Sequence, residues 1–127
     1  MLRSGKERTS STEKLRKKLF ESLDEVRGET VIVEGARDKS ALMNIGFHDV
    51  HTINRNKGLY DISYTFEGEV LVLTDFDPEG EKLAGKLTKY LTKLGCKVKK
   101  RKRSQLRRIF LKNDINTIEG IKRISIR

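Results

Sequence analysis

Two aspartates stand where an apolar stretch of the chain ends, and their types and spacing suit them to binding a metal. Residues 70–73 are all apolar, as in a strand buried on both faces, and Asp75 and Asp77 follow them. Asp77-Pro78 has the pattern of a helix start, with Asp77 as the cap. Parallel α/β sheets bind ligands at the carboxyl ends of their strands, so both carboxylates can converge there on one hard cation.

A second carboxylate follows another short strand pattern upstream. Residues 31–33 are β-branched, Glu34 comes next, and Gly35 follows it. If the two strands are parallel neighbours, Glu34 and the aspartates share one edge of the sheet. Gly35 has two interpretations: it lets the backbone pass close to a metal or phosphate, or it is an ordinary tight-turn glycine.

Together the two stretches resemble the Toprim domain of type IA and type II topoisomerases, bacterial primases and small ribosomal-RNA maturases. The pattern is Glu34-Gly35-x-x-Asp38 followed by Asp75-x-Asp77-x-x-Gly80, and the resemblance covers about residues 30–98. It implies that Asp75 and Asp77 hold Mg²⁺, as one or two ions for which Mn²⁺ can substitute. It also implies that Glu34 is the catalytic general acid or base and shares a second ion.

Two further acids extend the resemblance, each with a plainer alternative. Glu79 fits the fuller pattern of the topoisomerase branch and would be an outer or second-metal ligand, or a first-turn acid that the helix dipole favours. Asp38 would orient the site, or cap a helix. The alternative to the whole resemblance is a generic α/β domain in which Asp77 caps a helix and Glu34 is solvated.

The length of 127 residues predicts one domain. The resemblance implies that this domain has a Toprim-like, Rossmann-like α/β fold, with a mainly parallel four-stranded sheet flanked by helices. Its core should span about residues 30–98. An N-terminal helix is expected at 11–27, after a capping box at residues 10–13, and a basic helical extension at 99–127. The helix at 81–94 should be the longest, and Cys96, the single cysteine, should be a small buried side chain.

The net charge of +10 is concentrated near the end of the chain. Residues 96–127 hold 12 of the 28 Lys and Arg but only 2 acids, so all of the excess positive charge lies there. A basic region beside carboxylates indicates a nucleic acid, RNA or DNA, as the partner, although such runs are usually solvated. The candidate phosphate contacts are Arg55, Lys57, Lys82, Lys86, Lys89, Lys93, Lys100, Arg101, Lys102, Arg103, Arg107 and Arg108. Tyr60 and Tyr64 are expected to pack rather than to stack on bases.

No apolar run approaches the ~20 residues of a membrane helix, and the first residues lack a signal-peptide core, so no membrane partner and a cytoplasmic location are expected. The first functional hypothesis is an enzyme, a Mg²⁺-dependent nuclease or nucleotidyltransferase, with RNA processing as one role. The second is a non-catalytic, metal-dependent nucleic-acid-binding or scaffold module of a larger complex. A protein partner or a homodimer is compatible with either.

Overall fold

The computed structural model describes residues 2–53 and 56–124, with side chains from residue 11 onward. Helices and strands alternate through most of the chain, and a short 3₁₀ helix follows the last α-helix. In chain order the elements are α1 (Leu2–Asp24), β1 (Val31–Val33), α2 (Ala36–Asn44), β2 (Val50–Thr52), α3 (Leu59–Ser63), β3 (Glu69–Val72), α4 (Pro78–Lys93), β4 (Lys97–Val98), α5 (Lys100–Lys112) and the 3₁₀ helix (Glu119–Arg123).

The four strands form one sheet in the order β2-β1-β3-β4, and every neighbouring pair is parallel. Val31 of β1 lies opposite Val50 of β2 on one side and Leu71 of β3 on the other. Helices connect the strands, as parallel pairing requires. The predicted α/β class with a four-stranded parallel sheet is therefore confirmed.

Helices cover both faces of the sheet, and this explains why its central strands are apolar without interruption. Side chains of a strand alternate between faces, so Val31 and Val33 pack with α1, α2 and α5, whereas Ile32 packs with α4. β3 repeats the alternation with Leu71 on the first face and Val72 on the second. A strand covered on both sides has no polar face, as the sequence pattern of residues 70–73 predicts.

The first helix is longer than the sequence pattern suggested. We expected a start at Ser10 and a preceding non-helical segment, but α1 begins at Leu2 and runs for 23 residues, against 16 for α4. The predicted capping box and the ranking of the 81–94 helix as the longest are both wrong. The reason is that residues 2–9 contain no proline, and serine and glycine lower helix propensity without breaking a helix.

The helix start that Asp77-Pro78 predicts is confirmed. Asp77 caps α4, because its Oδ1 accepts a hydrogen bond from the Gly80 N–H at 2.7 Å, and Pro78 takes the first helical position. Gly46 follows α2 with φ of 105°, a left-handed conformation that favours glycine. The loops that begin or end at these residues therefore have the geometry that their sequences encode.

The basic run near the end of the chain is helical. Residues 100–103 form the first turn of α5, and Leu106, Ile109 and Phe110 of the same helix enter the core. Among the helices described, none combines the length and apolarity needed to cross a bilayer.

Candidate functional site

The sheet order creates a crevice at the carboxyl ends of β1 and β3. From β1 the chain continues to β2 on one side, and from β3 it continues to β4 on the other, so the connections diverge between these strands. Such a switch point is where open α/β sheets bind their ligands. Glu34 follows β1 there, and Asp75 follows β3.

One hydrogen bond joins the two carboxylate stretches that the sequence singled out. The Asp75 N–H donates to Glu34 Oε2 at 3.0 Å, although 41 residues separate the two along the chain. This bond fixes Glu34 against the turn that carries Asp75 and Asp77. The expectation that these three residues share one edge of the sheet is confirmed.

The turn from β3 into α4 is packed directly on the first turn of the helix. The buried Thr74 hydroxyl donates to the Gly80 carbonyl at 2.7 Å. A Cβ on Gly80 would lie 2.0 Å from the Asp75 carbonyl oxygen, far inside van der Waals contact. Only glycine therefore allows α4 to begin this close to the turn, and Gly80 belongs to the helix rather than to the turn itself.

Gly35 has a different role from the one that a tight turn would give it. Its φ of −148° is extended backbone that any residue adopts, and a Cβ there would meet nothing within 4 Å. The tight-turn interpretation is therefore wrong. Because glycine has no side chain, the space beside Glu34 is open at this position. The Gly35 N–H donates to Asp38 Oδ2 at 3.3 Å.

The segment after α5 lies against the same carboxylates. The Ile118 N–H donates to Asp75 Oδ1 at 3.0 Å, and the Glu119 N–H donates to Asp38 Oδ1 at 3.1 Å. The Phe76 N–H donates in turn to the Asn116 carbonyl at 2.7 Å. Glu119 thus joins the acidic group, and the sequence analysis missed it, because a single acid in a basic stretch gives no signal of its position in the fold.

Burial and mutual repulsion raise the proton affinity of two of these acids. Burial, followed by the negative charge of Asp75, raises the pKa of Asp38 to about 6 from an ordinary value of 3.8. Burial also raises the pKa of Asp75, with contributions from Asp77 and Glu119 that the Ile118 N–H opposes. Asp38 accepts from the Gly35 N–H at the start of α2, so the helix-cap interpretation is confirmed, whereas a role in orienting the site stays a prediction.

The donors at this edge are those that Mg²⁺ prefers, but they do not form a complete ligand set as they stand. Within residues 2–53 and 56–124, no three Asp, Glu, His or Cys side chains are grouped closely enough to hold an ion. Asp75 and Asp77 each use one oxygen for a backbone N–H, and a carboxylate has a second. Mg²⁺ retains several waters and so needs few protein ligands. A cation here would also offset the repulsion from Asp77 and Glu119, which adds to burial in raising the pKa of Asp75.

Arg103 donates hydrogen bonds to the turn that carries Asp75. Its position differs most from what the sequence predicted. We expected it to contact phosphates, but its side chain is buried. Nη1 donates to the Val72 and Thr74 carbonyls, both at 3.0 Å, and Nη2 donates to the Asp75 carbonyl at 3.3 Å. Nη2 also pairs with Glu81 at 3.1 Å, and the guanidinium lies 4.8 Å from the Phe76 ring centre. Burial lowers the pKa of Arg103, and Glu81 opposes that shift.

Glu34 lies in a trench with lysines on its walls. Two adjoining cavities, of about 300 Å³ and about 270 Å³, share Glu34, Leu59 and Leu83 as lining residues. Their remaining lining residues are Ile53, Lys57, Glu79, Lys82 and Lys86. Of the basic residues proposed from the sequence, Lys57, Lys82 and Lys86 therefore lie beside the site, together with the acid Glu79.

The other proposed phosphate contacts that the structure describes do not line these two cavities. Lys100 and Arg107 line a separate groove between α4 and α5, and Arg107 pairs with Glu81 at 2.8 Å. Arg55 lies outside the described residues. Lys89, Lys93, Arg101 and Arg108 are exposed, and Lys102 is half-buried. Of the candidate basic residues that the structure describes, three therefore line the trench and the others lie elsewhere on α4 or on α5.

The two tyrosines of α3 and its end differ in their surroundings. Tyr64 is 74% exposed, so the prediction that it packs is wrong, whereas Tyr60 is 47% exposed but packs on a neighbouring helix. Tyr60 meets Tyr90 of α4 edge to face, with ring centres 5.7 Å apart.

Comparison with known proteins identifies relatives over most of the chain, although no family model matches it. A UPF0292 protein of Thermococcus onnurineus is 42% identical over 108 residues, which are 81% of this chain and 77% of that protein. A UPF0292 protein of Methanosarcina barkeri is 34% identical over 98 residues, covering 75% and 68%. A solved structure from Aquifex aeolicus superposes with a TM-score of 0.66 at 26% identity, over 82% of this chain and 95% of that one. The chain belongs to the UPF0292 protein family.

Proposed function

We propose that this protein is a Toprim-type enzyme that carries out Mg²⁺-dependent phosphodiester chemistry on RNA or DNA. The observation that carries the proposal is the hydrogen bond from the Asp75 N–H to Glu34, which joins the two motif halves at the switch point of the sheet. The motif pair and the parallel α/β fold support the same assignment. Asp75 and Asp77 would hold the metal, and Glu34 lies beside them.

Each group has a role in such a reaction. Mg²⁺, when bound, would offset the negative charge that develops on the phosphoryl oxygens. In hydrolysis, water adds to phosphorus, the bond from phosphorus to the leaving oxygen breaks, and that oxygen takes up a proton. Glu34 would supply that proton and would regain one from the solvent, into which the attacking water releases its own. The hydrogen bond from the Asp75 N–H to Oε2 supports this role, because it orients the carboxyl group. Lys57, Lys82 and Lys86 would hold the flanking phosphates.

The test combines a cleavage assay with calorimetry of metal binding. Labelled structured RNA and duplex DNA are incubated with the protein in Mg²⁺ or in chelator, and we expect cleavage in Mg²⁺ alone. Asp75→Asn with Asp77→Asn should abolish both cleavage and Mg²⁺ binding without unfolding the chain, since asparagine also caps helices well. Asp24→Asn, at an exposed acid near the end of α1, is the matched control and should change neither.

The possible results separate the two functional hypotheses. Mg²⁺ binding that survives the double substitution removes Asp75 and Asp77 from the metal site and refutes the proposal. Tight Mg²⁺-dependent nucleic-acid binding without cleavage of any substrate favours the non-catalytic binding or scaffold module instead.

A further inference from the structure

All three tyrosines of the chain lie on α3, at its end or on α4, the two helices that supply most of the residues lining the trench that contains Glu34. Tyr60 and Tyr64 are one helical turn apart on α3 and its end, and Tyr90 of α4 contacts Tyr60. None of them belongs to either hydrophobic cluster of the described core. Tyr60 and Tyr64 are two of the four large apolar side chains that are exposed in the described part of the chain, and patches of such side chains mark interaction sites.

The spacing of residues on α3 and α4 connects the trench with the tyrosines. Leu59, which lines the trench, precedes Tyr60 in the sequence, and Lys86, which also lines it, precedes Tyr90 by one turn of α4. Lys93 lies one further turn along the same stripe and is exposed. A ligand that follows this path from Glu34 therefore meets lysines first and then aromatic rings flanked by lysines.

We propose that this path binds a single-stranded nucleic acid, with phosphates on the lysines and bases stacked on Tyr60, Tyr64 and Tyr90. Aromatic rings beside a basic groove are the combination that sequence-tolerant single-strand binders use. A duplex offers no base faces to these rings, because its bases are stacked on one another. The inference rests on the proposed function in one respect, which is that the reacting phosphodiester lies at Glu34. The path of the strand depends only on the residues that line it.

The ring contact between Tyr60 and Tyr90 has a plainer role, which is to hold α3 against α4. That role accounts for Tyr60 but not for Tyr64, which is 74% exposed. A stacking role and a packing role also respond differently to substitution. Tyr64→Ala removes a stacking surface with little effect on folding, whereas a residue that only packs affects stability first.

The experiment measures the binding of one labelled oligonucleotide, as a single strand and as a duplex, by fluorescence anisotropy in chelator so that no cleavage occurs. We expect Tyr60→Ala and Tyr64→Ala each to weaken single-strand binding by about 5- to 150-fold, the loss of one stacked base at about 1–3 kcal/mol. Tyr60→Phe keeps the ring and should stay within about twofold. Duplex binding should not change in any of these variants.

Met43→Ala is the matched control, because Met43 is 47% exposed like Tyr60 but lies on α2. It should leave single-strand binding unchanged. Should both tyrosine variants bind the single strand as tightly as this control, or should the unsubstituted protein prefer the duplex, the inference is overturned. Thermal melts identify any variant that has unfolded, and Tyr64→Ala then decides the question alone.

Failure here and failure of the proposed function give different results. If cleavage is absent but the tyrosine variants lose single-strand binding, the enzyme assignment is wrong and the strand path stands. If Mg²⁺-dependent cleavage occurs at full rate on both strand types in the tyrosine variants, the enzyme assignment stands and the strand path is wrong.

Discussion

Replacing Arg103 by methionine should destabilise the protein and loosen the turn that carries the aspartates. Methionine keeps the apolar stem but leaves the Val72, Thr74 and Asp75 carbonyls without their donor. At about 1 kcal/mol net for each hydrogen bond, and about 0.5–1 kcal/mol for the contact with Phe76, the loss is about 3–4 kcal/mol. Removing the charge from a buried position offsets part of this, so we expect about 3 kcal/mol.

For 127 residues the entropy of unfolding converts this loss into a drop in Tm of about 10 °C. Urea unfolding followed by circular dichroism at 25 °C measures the free energy directly. Arg107→Gln is the control, because Arg107 pairs with the same acid, Glu81, at 2.8 Å but is half exposed. It should cost no more than about 1 kcal/mol. The argument for Arg103 fails if both substitutions destabilise the protein equally.

Three further predictions address the site. Gly80→Ala should destabilise the chain by about 1–3 kcal/mol, because the new Cβ clashes with the Asp75 carbonyl. Gly85→Ala lies in the same helix, but its Cβ would meet nothing within 4 Å, so it should stabilise the chain by about 0.5–1 kcal/mol. Thermal melts compare the two variants. The folded chain raises the pKa of Asp38 to about 6 from 3.8, so the native state binds this proton more tightly than the unfolded state does. The free energy of unfolding should therefore fall by up to about 3 kcal/mol as the pH rises from 4 to 6. Asp38→Asn should remove that fall in urea titrations made in chelator. Glu34→Gln should abolish cleavage and leave Mg²⁺ affinity within about tenfold, and full-rate cleavage would exclude Glu34 as the proton donor.

The parts of the fold and site that the sequence predicted correctly are those with a local pattern. Residues 70–73 predict a strand covered on both faces, and Asp77-Pro78 predicts a capped helix, because each depends on neighbouring residues alone. The approach of Glu34 to Asp75 also followed from sequence, since two strands of one parallel sheet end at one edge. These inferences needed no knowledge of how distant segments pack.

Burial of a charge within a charged run has no such local pattern. Arg103 is the fourth residue of a basic helical turn, and nothing near it in the sequence separates it from Lys100 or Arg101. What distinguishes it is three carbonyls at the end of β3, about 30 residues earlier, which accept its hydrogen bonds. The prediction that Tyr64 packs was wrong for a related reason, because burial of an aromatic ring depends on which helix covers it.

The hydrogen bond from the Ile118 N–H to Asp75 joins two residues that the ribosome synthesises at different times. The two residues are 43 positions apart, and a ribosome adds about 5–20 residues per second, so Asp75 is synthesised about 2–9 s before its backbone donor. The segment that carries Ile118 also brings Ile115 and Ile121 into the main hydrophobic cluster. A nascent chain can therefore complete the acidic site only after this segment has been synthesised and has packed on the core.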